Sequence, residues 1–188
     1  MQVEKLEEIW ARFTKLIDRL EDKNISKLVE DLGERMLLCP NANRTDSAGC
    51  YPGGMIEHAL LVTAKMKELN GVAANKATPR SLLITGLFHG LGKIGDLNDP
   101  MFVEETSDWH RDKLGQLYKF NDDIDKMSAS HRALYILQHY GVKLEKEEWL
   151  AIQLSTGLHF EENRFYVGSE PYLAFLLHQA KTMITQGF

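Results

Sequence analysis

Apolar residues recur every three or four positions along almost the whole chain, and this period leaves little choice of fold. Val3, Leu6, Ile9, Trp10, Phe13, Leu16, Ile17 and Leu20 form one stripe of an amphipathic helix. A second short helix over 25–37 places Ile25, Leu28, Val29, Leu32 and Met36 on one side, with Asn24 or Ser26 as its cap. Helical runs follow over 55–69, closed by Asn70-Gly71, and from Pro79 to His89. Another is capped by Ser128 and closed by Gly141; then come KEEWLAIQLSTG and a last helix after Pro171. No strand of consequence is predicted. The fold class is all-α, one domain over 1–188, with residues 1–37 as an N-terminal helical extension of a core over 38–183.

Two stretches break the pattern. Residues 39–54, CPNANRTDSAGCYPGG, are a loop by composition, long enough inside a folded domain to suggest a function. Residues 97–126 are polar and irregular and read as an excursion from the helical core, a lid or a small hairpin. The net charge of −5 with no Lys/Arg cluster argues against binding duplex nucleic acid. No apolar run is long enough to span a bilayer, and MQVEKLEEIW is charged and amphipathic rather than a signal sequence. Cys39 and Cys50 are too few for a disulfide framework and read as two reduced thiols, which suits the cytoplasm.

Candidate chemistry lies with the seven histidines. His58 sits inside an apolar helical run, GGMIEHALLV. His89 ends another, LLITGLFHGLGKIGD, and His131 lies in the first turn after the Ser128 cap. Three neutral imidazoles with water in the open position form a zinc-type site. A hydrolytic centre also uses carboxylates, and here Gly90 follows His89 directly. Glycine-rich GLGKIG follows a helix rather than a strand, which fails the context of either common phosphate-binding glycine motif. Arg44 and Gly53-Gly54, before the His58 helix, are candidate anion contacts at a helix N-terminus.

Taken in order, GGMIEHALLV, SLLITGLFHGLGKIG, SASHRALYIL and PYLAFLLHQAKTM resemble the HD superfamily of metal-dependent phosphohydrolases, in the compact form common in phages and bacteria. The resemblance covers about residues 38–183. It implies an HD-type helical bundle and a location in the cytoplasm of a bacterial cell or phage-infected host. It matches His58 to the first metal-binding histidine and His89 to the histidine of the paired motif, whose aspartate position is held by Gly90. Lys93 matches a lysine near substrate phosphate, and His131 a histidine used by bimetallic members. Ser155-Thr156-Gly157 falls where those members carry histidines. Lys181 stands where the closing segment has an aspartate.

Both signature carboxylate positions are therefore lost. Glycine offers no ligand, and an ammonium 4 Å from a divalent ion is repelled by about 8 kcal/mol at an effective dielectric of about 20. The ammonium of Lys181 instead suits the vacated metal position, or a ligand phosphate. The expected function is a non-catalytic, degenerate HD-domain protein that binds a nucleotide-like or other phosphorylated ligand, or a protein partner, with no cofactor. Ligand-binding candidates are Arg44, His58, His89, Lys93, His131 and Lys181. The alternative is an active phosphohydrolase with a divalent metal (Mn, Fe, Ni, Zn or Mg) on His58, His89 and His131. The N-terminal stripe of Trp10, Phe13 and Ile17 either packs on its own domain or pairs with a second copy as a homo-oligomer.

Overall fold

Several helix starts in this chain fall where a side-chain oxygen can accept the amides that an α-helix leaves free at its N-terminus. The computed structural model describes residues 3–74 and 76–187. Its α-helices are α1 (Val3–Asp18), α2 (Lys23–Leu38), α3 (Gly54–Val72), α4 (Pro79–Phe88), α5 (Asp108–Leu114), α6 (Ala129–His139), α7 (Lys146–Leu154) and α8 (Tyr172–Gln186). Short 3-10 helices cover Leu91–Ile94 and Glu161–Tyr166. Thr78 accepts the Ser81 amide ahead of Pro79, and Ser128 accepts the His131 amide, so α4 and α6 begin where the sequence places them. The start of α2 differs. Asp22 accepts from the amides of Asn24 and Ile25. Asn24 instead donates its side-chain amide to the Gly141 carbonyl at 2.8 Å, and the Ser26 hydroxyl donates to the Asp22 carbonyl.

The chain is all-α apart from one short hairpin among the described residues. Strands β1 (Phe102–Glu104) and β2 (Tyr118–Phe120) pair antiparallel, with Phe102 opposite Phe120 and Glu104 opposite Tyr118. Helix α5 fills the connection, so the polar excursion is a hairpin carrying a helix. Phe102 packs on Tyr118 and Phe120 at centroid distances of 6.5 and 5.4 Å, giving the exposed pair an apolar face of its own.

Helices α3 and α4 lie at the centre and serve two apolar clusters. On one side Ile56, Leu60, Ile84 and Phe88 meet Phe13 and Ile17 of α1, Ile25, Leu28 and Met36 of α2, and Ile136 and Leu137 of α6. Phe13 is fully buried, edge-on to Phe88 at 6.4 Å. The stripe of α1 thus packs on its own domain, and each such buried side chain contributes about 1.5–3 kcal/mol. On the other side Val62, Met66 and Leu82 meet Leu154 of α7 and Leu173 and Leu177 of α8. Backbones approach closely between α3 and α4: a Cβ at Gly86 would lie 2.3 Å from Thr63 Oγ1. No helix of the described residues is long and apolar enough to cross a membrane.

Arg132 reads in the sequence as a surface residue next to His131, yet it is 2% exposed. Its Nε donates to Asp96 Oδ1 at 2.7 Å and its guanidinium reaches the Asp125 carbonyl at 2.6 Å. Arg35 of α2 donates to the carbonyls of Ile94, Asp96, Leu97 and Asp99. Together these arginines clamp the turn that follows Lys93.

Candidate functional site

The His58 and His89 rings stand 5.9 Å apart, one on α3 and the other at the C-terminal end of α4. They line a cavity of about 270 Å³ with Gly90, Lys93 and, from the opposite side, Ser155, Thr156, Phe160 and Lys181. Helical spacing explains the convergence. Apolar neighbours bury α3 and α4 on both flanks, so polar side chains on their inner faces have nowhere else to go. Lys93 enters from the 3-10 turn after α4, and Lys181 lies one turn past His178 on α8.

His89, both lysines and Ser155 each have a defined partner. His89 is 5% exposed, and its Nδ1–H donates to the Gly86 carbonyl at 2.9 Å, leaving Nε2 as the unprotonated nitrogen. Lys93 Nζ donates to the Asn41 carbonyl at 2.8 Å and to Asn41 Oδ1 at 2.5 Å. Lys181 Nζ donates to the Ser155 carbonyl. Ser155 Oγ in turn donates to the His89 carbonyl at 3.3 Å, tying the two walls together. The Asn163 amide holds the Gly157 carbonyl at 2.8 Å behind Thr156.

The charge balance of this cavity is one-sided. Among the described residues, those lining it include no Asp or Glu. Burial, then the Lys93 and Lys181 ammoniums, lower the His58 pKa to about 4. Burial, followed by the charge of Lys181, holds His89 well below its ordinary value. Both rings are therefore neutral near pH 7. Burial lowers Lys93 to about 8, and Lys181 adds to the effect; burial also lowers Lys181 to about 8. At neutral pH both lysines still carry charge, and their hydrogen-bond acceptors are neutral carbonyl and amide oxygens.

These donors do not fit a divalent ion. Catalytic zinc sites take three protein ligands, and hydrolytic centres add carboxylates. Here two imidazoles face two ammoniums, and no group of three or more His, Cys, Asp or Glu among the described residues is placed to hold a metal. The same arrangement suits an anion: two charge-assisted donors in a partly dehydrated recess that carries no competing acid. Gly90 is small for no steric reason. Its φ and ψ of −97° and 0° are open to any residue, and an added Cβ would meet only Met55 Cγ, at 3.9 Å. Gly92, two residues on, has no such room, because a Cβ there would lie 2.0 Å from the Ala129 carbonyl oxygen.

Of the candidates drawn from the sequence, His58, His89, Gly90, Lys93 and Lys181 come together. Arg44 and His131 do not line the cavity. Arg44 pairs with Asp46 at 2.7 Å on the outer edge of its loop, where it bridges Gln116 near the hairpin. His131 is partly exposed, and its amide takes the Ser128 cap while Ala129, two residues earlier, lines the cavity. Nearby acids are also committed elsewhere. Asp96 pairs with Arg132, and Glu57 takes Lys5 and the Tyr51 hydroxyl. Two contributors escape sequence reading: Asn41, which fixes Lys93 from within the 39–54 loop, and Phe160, which walls the cavity from the loop before α8. Cys39 and Cys50 are free thiols, and burial pushes Cys39 up to about 12.

No protein-family model, no curated protein and no solved structure matches this chain.

Proposed function

We propose that this chain keeps the helical cage of an HD-type phosphohydrolase without its chemistry, and binds a small phosphorylated ligand in the lysine cavity. The observation that carries this reading is the pairing of Lys93 and Lys181 beside two neutral imidazoles, with no acid in the lining. Two uncompensated ammoniums are costly in a recess, and a phosphate returns the missing charge. Lys181 then takes the place of the cation that would otherwise hold the phosphoryl group, and Lys93 supplies the second donor. The HD-type assignment rests on motif order and spacing, supported by the all-α fold and by the meeting of the His58, His89, Lys93 and Lys181 positions.

Calorimetric titration with inorganic phosphate tests the reading. Binding is expected near neutral pH and weakens as pH rises through about 8, where both lysines lose their protons. Lys181→Met is expected to weaken it by at least about tenfold, the loss of one charge-assisted donor. Protein purified without chelator or nickel resin is analysed for metals in parallel. Stoichiometric manganese, iron, nickel or zinc, or phosphoester turnover above a His58→Ala control, would replace this reading with that of a metal-dependent phosphohydrolase.

A further inference from the structure

The enclosed cavity does not end at Lys181. A second, open cleft of about 490 Å³ shares three of its walls, Ser155, Thr156 and Lys181, and continues along α8 past His178, Thr182 and Gln186. The cavity alone, about 270 Å³, is smaller than the roughly 300–1,000 Å³ of most ligand sites; with the cleft it falls inside that range. The two parts differ in chemistry. The cavity holds both ammoniums and little else that is polar and mobile. The cleft beyond Lys181 is lined mainly by hydroxyl and amide side chains, with Leu158 as its apolar member and no Phe, Tyr, Trp or acid among the described residues. The one ring there, His178, is held by its Nε2–H on the Leu154 carbonyl at 2.8 Å. A nucleobase stacks on an aromatic or apolar plate, and the cleft offers only the Leu158 side chain and the His178 ring for this, against five hydroxyl and amide side chains, Ser155, Thr156, Thr182, Thr185 and Gln186. Hydroxyl groups need donors and acceptors at short intervals, and Ser155, Thr156, Thr182 and Gln186 provide them.

We infer that the occupant is the phosphate monoester of a small polyhydroxylated molecule, with its phosphoryl group between Lys93 and Lys181 and its hydroxyls along the cleft. This inference rests on the anion-binding reading above and narrows it to a sugar-phosphate class. Full-length protein is titrated with inorganic phosphate, ribose 5-phosphate, free ribose and adenosine 5′-monophosphate. Ribose 5-phosphate is expected to bind about tenfold more tightly than phosphate, the worth of one or two added hydrogen bonds. Adenosine monophosphate is expected to bind no more tightly than ribose 5-phosphate. Thr182→Leu, at an exposed position whose folding is checked by thermal melting, is expected to bring the ratio of sugar phosphate to phosphate affinity close to one. If phosphate binds and the sugar adds nothing, or if the nucleotide binds about tenfold more tightly than ribose 5-phosphate, this inference fails and the anion site stands. If phosphate itself does not bind, the anion site fails and takes the inference with it.

Discussion

Arg132 and Lys181 are both cations drawn toward the interior, and they meet different company. Arg132 is matched by the Asp96 carboxylate at 2.7 Å, and Arg80 by Glu148 at 2.8 Å. Glu148 is wholly buried and also accepts from the Ser81 hydroxyl and the Glu145 amide. Lys181 and Lys93 meet only carbonyl and amide oxygens. Arg132 and Arg80 are neutralised by acids, because leaving a cation unpaired in the interior costs several kcal/mol; the half-buried Arg35 is instead held by four backbone carbonyls. Under the reading proposed above, Lys181 and Lys93, left without an acid beside a cavity, are held for an anion that arrives from outside.

Acid titration puts the largest strain on this contrast. His58 has a folded pKa of about 4 against 6.5 for the free side chain, so the unfolded chain binds the extra proton between those values. Stability is therefore full above about pH 6.5 and falls as pH drops toward 4, by about 3 kcal/mol from His58 alone, with His89 acting in the same direction. Urea unfolding at a series of pH values checks this; a flat profile over that window would show that the imidazoles are not held neutral by their surroundings. Glu148→Ala comes next, with an expected loss of about 3 kcal/mol in the same assay, because Arg80 and Ser81 lose their acceptor.

Lys181→Met should have the opposite sign. Replacing an unmatched ammonium by an apolar chain of similar length is expected to raise the stability of the ligand-free protein by about 2 kcal/mol while weakening phosphate binding by at least about tenfold. It should also raise the His58 pKa, which NMR titration of the ring reads directly. A loss of stability would place Lys181 with Arg132, among the residues that build the fold. The smallest effect is expected at Arg44→Ala. Its pair with Asp46 is solvent-exposed, so stability changes by no more than about 0.5 kcal/mol, and the phosphate titration is unchanged.

Helix content and helix ends were legible because they are local. Pro79, Ser128 and Gly141 mark their boundaries by backbone chemistry that acts within a few residues. The meeting of His58, His89, Lys93 and Lys181 was expected only from the resemblance to the HD superfamily, which also put His131 with them, and the residues lining the cavity do not include it. Ion pairing was not. Asp96 and Arg132 are 36 residues apart, and nothing in either segment shows that one guanidinium will be buried against the other's carboxylate. Glu148 sits in a run of charges, KEEWL, that looks solvent-facing. Its burial depends on Arg80, 68 residues earlier, lying across the start of α7. Arg44 misled for a related reason: it stands just before a helix that lines the site, but Asp46, two residues on, claims it first.

The space beside Gly90 has an evolutionary side. Every glycine codon lies one base from an aspartate or a glutamate codon, and at this position neither the backbone angles nor the neighbours resist a larger residue. A single mutation could thus set a carboxylate next to His89, in a cavity that would still hold the Lys93 and Lys181 ammoniums. The fold therefore places no steric bar between this sequence and one with an acid at the rim of the cavity.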